Sequence, residues 1–520
     1  MSLTIEEHLA QATALHEQQL PEKALAHLDQ ILVKAPNHIP ALRLRAFSLL
    51  GLNKLAESLV CYQQLLSLNN QDIDALIKCG RICLFLKQPQ NALAYFDTAI
   101  TIEPNNVRIS ALRGNAFTAL KRPKAAAACY AHALTFAPDD IGLLVNYGCV
   151  LYELTDYAQA LACFEKIMSI NPNHLLGLSY SAFCLVSFNR HIEAMANYEK
   201  AIQINPNHAI TQFNESLCRL VMGDYKIGWQ KHEWRWISEM AHVNRGFTQP
   251  LWLGDADLTN KTILLYAEQG FGDTMHFIRY VPMVKALGAH VIVEAQRELI
   301  PFINTIGGID QIFSQGEDLP ETDYRCPLMS LPLAFGTELH NIPTTIPYLF
   351  SDANLVQQWR EKLSHLSQPY KIGITWSGNL ANKTNTRRAI TLEEILKTKP
   401  DNVDFISLQK RILPEELSLL NEHGIAHFTN ELTDFNQTAA LVECLDLVIT
   451  VDTSVAHVAG AMGKPLWILL AFSADWRWLL NRNDSPWYPT ATLFRQHAMW
   501  DWSKVVDAVK EKLMKFSGKP

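Results

Sequence analysis

A chain of 520 residues, 48% apolar and 19% charged, with a formal net charge of −7, has length for roughly three domains and the composition of an ordinary globular protein. This excludes a disordered or collagen-like chain. The acidic balance argues against a nucleic-acid binder, whose affinity comes largely from neutralising phosphates with Lys and Arg. The ten cysteines include no Cys-x-x-Cys pair, so they read as buried thiols in a reducing compartment. The amino terminus has no basic stretch followed by an apolar one, and the apolar run near 466–472 is too short to span a bilayer. The expected setting is therefore soluble and cytoplasmic.

In chain order, the first 240 residues repeat. A step of 34 superposes Ala24, Ser58, Ala92, Ala126, Ala160, Ala194 and Gly228, all small. Twelve residues before them stand Ala12, Ala46, Gly80, Gly114, Gly148, Ala182 and Ser216. Four residues after come Leu28, Tyr62, Phe96, Tyr130, Phe164 and Tyr198, and twelve after come Pro36, Asn70, Pro104, Pro138, Pro172 and Pro206. The pattern predicts antiparallel helix pairs that approach where both carry a small residue. The aromatic fills the gap between repeats, and Pro stops the second helix. It resembles a tetratricopeptide array, whose concave face commonly takes a partner protein; a role in spacing or dimerisation alone is the alternative. Near Trp229, Trp234, Trp236 and Trp252 the repeat dissolves. These residues are expected to pack the last helix against the next domain, with the junction at 241–261.

From 262 onward short apolar runs alternate with helical segments. Strands are predicted at 262–267, 290–294, 371–376, 404–408, 447–450 and 465–470. Helices are predicted at 275–287, 297–305, 392–397, 414–422, 438–444, 454–462 and 503–516. Alternation of this kind implies parallel sheets covered by helices. A Pro-rich, loop-like stretch at 319–348 separates two groups, giving expected domains at 262–350 and 351–500. The final helix, 501–520, is expected to cross back onto the first of them.

Three turns at strand ends carry the candidate chemistry. The first is Gly270-Phe271-Gly272-Asp273. Its third dinucleotide-fingerprint glycine would fall on Met275, and Asp273 would repel a pyrophosphate, so NAD fits poorly despite Glu294 at the next strand end. Asp273 reads either as a general base, kept ionised by the helix dipole, or as a plain helix cap. The second is Trp376-Ser377-Gly378-Asn379, followed by Lys383, Arg387 and Arg388; it reads as a diphosphate-reaching loop or a solvated basic one. The third is Asp452-Thr453-Ser454-Val455-Ala456-His457. Here Asp452 and Thr453 can cap a helix while the amides of Thr453, Ser454 and Val455 face an anion. His457 lies one turn in, either donating to a phosphate or serving structure.

Taken with Ser407-Leu408-Gln409-Lys410, Gly463-Lys464-Pro465, Trp476-Arg477-Trp478 and Ser485-Pro486-Trp487-Tyr488-Pro489, these turns resemble the heptosyltransferase-like glycosyltransferases in their repeat-fused form. The similarity covers about residues 248–515. The resemblance implies an α-helical solenoid followed by an α/β GT-B enzyme, two Rossmann-like domains facing a cleft, inverting and needing no metal or other cofactor. It implies that Asp273 is the base, with Gly270, Phe271 and Gly272 on the acceptor side. Thr453, Ser454 and His457 would hold the donor diphosphate, Lys383 or Arg388 would stabilise the leaving group, and Gln409 and Lys410 would lie near the nucleoside. The array resembles those of protein O-GlcNAc and flagellin glycosyltransferases, which implies a protein acceptor. A lipid or polysaccharide acceptor, an inactive scaffold and a homo-oligomer remain alternatives.

Overall fold

The computed structural model describes residues 3–238, 245–379 and 385–518. Lys383 and positions 241–244 of the expected junction lie outside the described residues. The chain divides into two compact units, 1–185 and 186–520.

In the first unit, helices pair two by two from Ile5–Glu17 with Pro21–Lys34 to Ile141–Glu153 with Tyr157–Ile170. The 34-residue step governs their ends as well as their faces. His38, Asp72, Asn106 and Asp140 each accept from the backbone amide three residues on, at 3.2, 3.0, 3.1 and 2.9 Å, so one N-cap recurs from repeat to repeat. Gln19, Asn53, Lys87, Lys121 and Thr155 turn the chain between paired helices in the left-handed region, with φ from 56° to 66°. Each of the helices ending at Lys34, Ile102 and Phe136 is followed two residues later by Pro. The aromatics differ in place from expectation. A Cβ on Gly80 would stand 2.3 Å from the Phe96 ring, and those on Gly114 and Gly148 would stand 2.5 and 2.6 Å from Tyr130 and Phe164. The ring thus packs on the glycine of its own repeat, and the small residue makes room for it. Phe164 also meets Tyr180 of the next repeat, with centroids 5.4 Å apart.

The second unit opens with three further helices, His191–Ile204, Ala209–Met222 and Tyr225–His232, then a 3-10 turn at Glu233–Trp236. Trp229 and Trp252 are buried in the core of the sheet-bearing part, Trp229 edge-on to Trp476 at 5.1 Å, as expected of packing residues. Trp234 and Trp236 are half-buried. Arg235, fully buried, pairs with Glu268 through Nε at 2.8 Å and Nη2 at 2.9 Å, which fixes the residue two before Gly270.

Two all-parallel sheets form the remainder. β1 (Thr262–Tyr266), β2 (His290–Ala295), β3 (Gln311–Ser314) and β4 (Tyr324–Pro327) lie in the order β3-β2-β1-β4. β5 (Tyr370–Thr375), β6 (Val403–Ser407), β7 (Ala426–His427), β8 (Leu447–Val451), β9 (Leu466–Leu470) and β10 (Ala491–Arg495) lie in the order β10-β9-β8-β5-β6-β7. Counted from β5, this is the doubly wound order 3-2-1-4-5-6. Its direction reverses between β5 and β8, where such sheets leave a crevice at the strand ends.

Three expectations are corrected. The stretch 319–348 is not merely loop: β4 lies within it and pairs with β1, Pro327 closing the strand where no further ladder donor is needed. The predicted helix at 275–287 starts earlier and is broken, with helix Phe271–Phe277, a 3-10 turn Ile278–Tyr280 and helix Val281–Ala286, Pro282 standing near the restart. The final helix, Ser503–Phe516, does not return to the first sheet. Its Val505, Val506, Val509 and Leu513 pack with Ile372, Val451 and Trp467 on the second, because that apolar face would otherwise be open. No helix among the described residues is long and apolar enough to cross a membrane.

Candidate active site

Asp273 is the third residue of helix Phe271–Phe277, not its N-cap. Its Oδ2 accepts from the Gly270 amide at 2.9 Å, the returning half of a capping box. Gln296, just past β2, donates to the Gln269 carbonyl at 2.8 Å and accepts from Thr274 at 2.9 Å, pinning the loop from the neighbouring strand. The other carboxylate oxygen of Asp273 takes a hydrogen bond from Arg477 Nη2. Arg477 also holds Asp475 at 2.8 Å, and its guanidinium lies 4.2 Å from the Trp476 ring centre. Its Nε has no partner among the described residues. Burial pushes the Asp273 pKa above the ordinary carboxylate range, Arg477 opposes this and Asp475 reinforces it, while about a fifth of the side chain stays open (21%).

The third turn follows β8 into helix Ser454–Ala461. Neither Asp452 nor Thr453 caps it as expected. The Thr453 hydroxyl is shared with Thr450 at 3.0 Å, and the amino end of the helix has no side-chain cap. The arrangement therefore keeps an anion-binding end free. Burial and Asp475 raise the Asp452 pKa to about 6, against the pull of Arg388 and Arg477.

His457 sits against the first turn: a Cβ on Gly272 would lie 2.6 Å from its Cδ2. Only glycine lets these two helices meet so closely. Its Nδ1 lies 2.8 Å from the Tyr488 hydroxyl, which also lies 3.1 Å from Nδ1 of buried His276. Burial, with nearby arginines, lowers the pKa of both imidazoles well below the ordinary value and keeps them neutral. The Nε2 of His276 has no partner among the described residues. A bare lone pair there costs less than an orphaned N–H, which places the His276 proton on Nδ1, donating to Tyr488. Tyr488 then donates to His457 Nδ1, leaving His457 Nε2–H as a donor on the Gly272 side.

The Gly378 turn ends β5. Its amide donates to Asn385 Oδ1 at 2.6 Å, and a Cβ on Gly378 would lie 3.0 Å from Arg388 Nη2. The Nε of Arg388 is buried and has no partner among the described residues. Gly270, Phe271, Gly272, Asp273, Gly378, Asn379, Arg388, Asp452, Thr453, Ser454 and His457 line one cleft of about 580 Å³ with Gln269, Gln296, Asp475 and Arg477.

Other expected members stand apart from this lining. Trp376 is core of the second sheet, its Nε1 bonded to Glu416 at 2.7 Å. Ser377 is buried against Gln409, which donates to its hydroxyl at 3.0 Å, so this pair braces the loop. Lys410 is exposed and donates to the Thr429 carbonyl at 3.2 Å. The Val455 side chain is buried in the helix packing, and only its backbone amide belongs to the uncapped helix start. Glu294, weighed as a ribose acid, is buried and paired through both oxygens with Arg245. Arg477, Asp475, His276, Tyr488, Gln296 and Asn385 were given no site role in the reading from sequence, where Arg477 and Tyr488 entered only within motifs that carry the resemblance. The one signal for Arg477 was its setting between two tryptophans.

The model of glycosyltransferase family 9 (heptosyltransferase) matches residues 426–508, a span that contains Asp452, His457, Arg477 and Tyr488. Tetratricopeptide-repeat models match residues 73–106, 142–174 and 182–208. Protein FlbA of Caulobacter vibrioides is 26% identical over 320 residues, covering 56% of this chain and 53% of FlbA. The chain thus spans about half the length of this curated relative. Solved structures similar to the helical part include a tetratricopeptide repeat protein from Parabacteroides merdae (16% identity, 46% of this chain and 94% of that one, TM-score 0.39). Another is YrrB, described as a TPR protein with an unusual peptide-binding site (19% identity, 36% and 98%, TM-score 0.33). This chain joins a tetratricopeptide repeat array to a glycosyltransferase family 9 domain.

Proposed function

We propose that the protein is an inverting, metal-independent GT-B glycosyltransferase that moves a sugar from a nucleotide-sugar donor to a Ser or Thr hydroxyl of a partner protein recruited by the repeats. The observation that carries this reading is that Asp273 and the uncapped start of helix Ser454–Ala461 line one cleft, at strand ends of two different parallel sheets. The family 9 match supports the donor half of the site, and the repeats support a polypeptide partner.

In this mechanism the donor diphosphate lies at the amides of Ser454 and Val455. His457 Nε2–H and the free Nε donors of Arg388 and Arg477 take its oxygens. These preorganised donors stabilise the charge that develops as the sugar–phosphate bond breaks. Arg477 exchanges part of its hold on Asp273 for the diphosphate. The carboxylate, raised by burial, then becomes the stronger base when donor is present. Asp273 removes the acceptor proton, the acceptor oxygen attacks the anomeric carbon, and the nucleoside diphosphate leaves from the opposite face. The domain boundaries expected at 262–350 and 351–500 divide acceptor from donor side in this reading.

The test pairs two measurements. UDP, GDP, ADP and CMP sugars are screened by thermal shift, and the stabilising donor is then used in transfer assays with wild type and Asp273→Asn. The expected outcome is donor binding in both proteins and a loss of about 10²–10⁴-fold in turnover for the variant. Undiminished transfer by Asp273→Asn would remove Asp273 as base, and no stabilisation by any donor would remove the donor site.

A further inference from the structure

A second cavity, of about 720 Å³, lies away from the cleft, at the carboxyl ends of β9 and β10 and against the final helix. It is within the size range of small-molecule sites. Five cationic or titratable basic side chains line it: Arg482, Arg495, His497, Lys504 and Lys512. No carboxylate is among the described lining residues. Arg482 is neutralised from outside by Asp484, at 2.6 Å. Asp501 lies near Lys504 and His497 at the rim, where it caps Ser503.

Arg495 and Lys512 have no paired carboxylate among the described residues. Arg495 donates to two carbonyls, Arg482 O at 3.0 Å and Trp478 O at 2.5 Å, and to no acid. Burial and Arg482 lower its pKa to about 10. Lys512 reaches only the Thr492 hydroxyl, at 3.1 Å, and lies over the Trp467 ring. Gln496, 5% exposed, accepts from the Phe472 amide through Oε1, while its Nε2 is buried with no partner. Arg495 and Lys512, left without a paired carboxylate beside an unfilled buried donor, cost free energy that a bound anion would recover.

We propose that this cavity is a second ligand site that takes a phosphate-bearing small molecule, its oxygens received by Arg495, Lys504, Lys512 and the Gln496 amide. Phe472 and Phe494 form the apolar wall beside it. The site stands independently of the reading of the cleft.

The test is calorimetric titration of the full-length protein with inorganic pyrophosphate, and separately with tricarballylate, in wild type, Arg388→Ala and the pair Lys504→Gln with Lys512→Gln. Both lysines are exposed, so the pair keeps its ligand-free melting temperature. Pyrophosphate binding that survives Arg388→Ala and weakens at least about tenfold in the lysine pair is the expected result. If the cleft takes no diphosphate, wild type shows one class of site and the lysine pair removes it. An unchanged titration in the lysine pair overturns the second site. Tighter binding of tricarballylate than of pyrophosphate overturns the phosphate assignment.

Discussion

Arg477 and Asp273, 204 positions apart in sequence, form a direct hydrogen-bonded ion pair, and the same guanidinium holds Asp475. One buried cation therefore answers two carboxylates and restrains the Asp273 pKa that burial raises. Replacing it with Arg477→Gln should push that pKa further up. The acid limb of the kcat/KM–pH profile then moves to higher pH by about one unit or more. Breaking a buried pair also costs roughly 3–5 kcal/mol, so melting is measured alongside. An unmoved acid limb in a folded variant would dissociate Arg477 from the titration of the base.

Asp452 gives a second pH signature. Its folded pKa, about 6, stands above the ordinary carboxylate value, so the folded state binds the proton more tightly and the charged form is penalised in the fold. The penalty is absent below about pH 4, grows as pH rises through 6, and is full above it. Asp452→Asn should gain about 1–3 kcal/mol at pH 8 and almost nothing at pH 4. Denaturant melts at the two pH values check this, and equal gains at both would contradict it.

The Tyr488 hydroxyl joins two histidines, and Tyr488→Phe cuts both links at once. In wild type the His457 ring should carry its proton on Nε2, as read by nitrogen-15 shifts of the imidazole. In the variant both tautomers should be populated, and donor affinity should fall about tenfold. Nδ1 protonation of His457 in wild type would reverse the order of the chain.

In the repeats, Gly114→Val would place a Cβ within 2.5 Å of the Tyr130 ring. Overpacking of this kind costs about 1–3 kcal/mol. Chemical denaturation should show the loss, whereas Gly51→Ala, with open space around its Cβ position, should show none.

Much of the fold was legible locally. The 34-residue step marked the helix pairs because each repeat solves the same packing problem, and buried parallel strands announced themselves as short apolar runs between helices. The strands that escaped were short or polar: β7 has two residues, β3 begins with an exposed Gln311, β4 has four residues and ends in Pro327, and β10 carries polar and half-buried positions at Thr492 and Arg495. The start of helix Phe271–Phe277 escaped because Gly272 signals a loop. It is a glycine for the sake of His457, a neighbour on the helix that follows β8 of the other sheet.

The same division holds for the site. Sequence by itself determined that strand-ending turns at Gly270, Gly378 and Asp452 carry polar groups, because strand, turn and helix are local and strand ends are where α/β sheets expose backbone donors. Only the tertiary structure decided which of those groups meet. Pairing of Asp273 with Arg477, the Tyr488 link between His276 and His457, and the withdrawal of Trp376, Ser377 and Gln409 into packing all depend on burial and on contacts between distant segments. Side-chain charge and hydrogen bonding answer to three-dimensional neighbours, and no spacing along the chain encodes those.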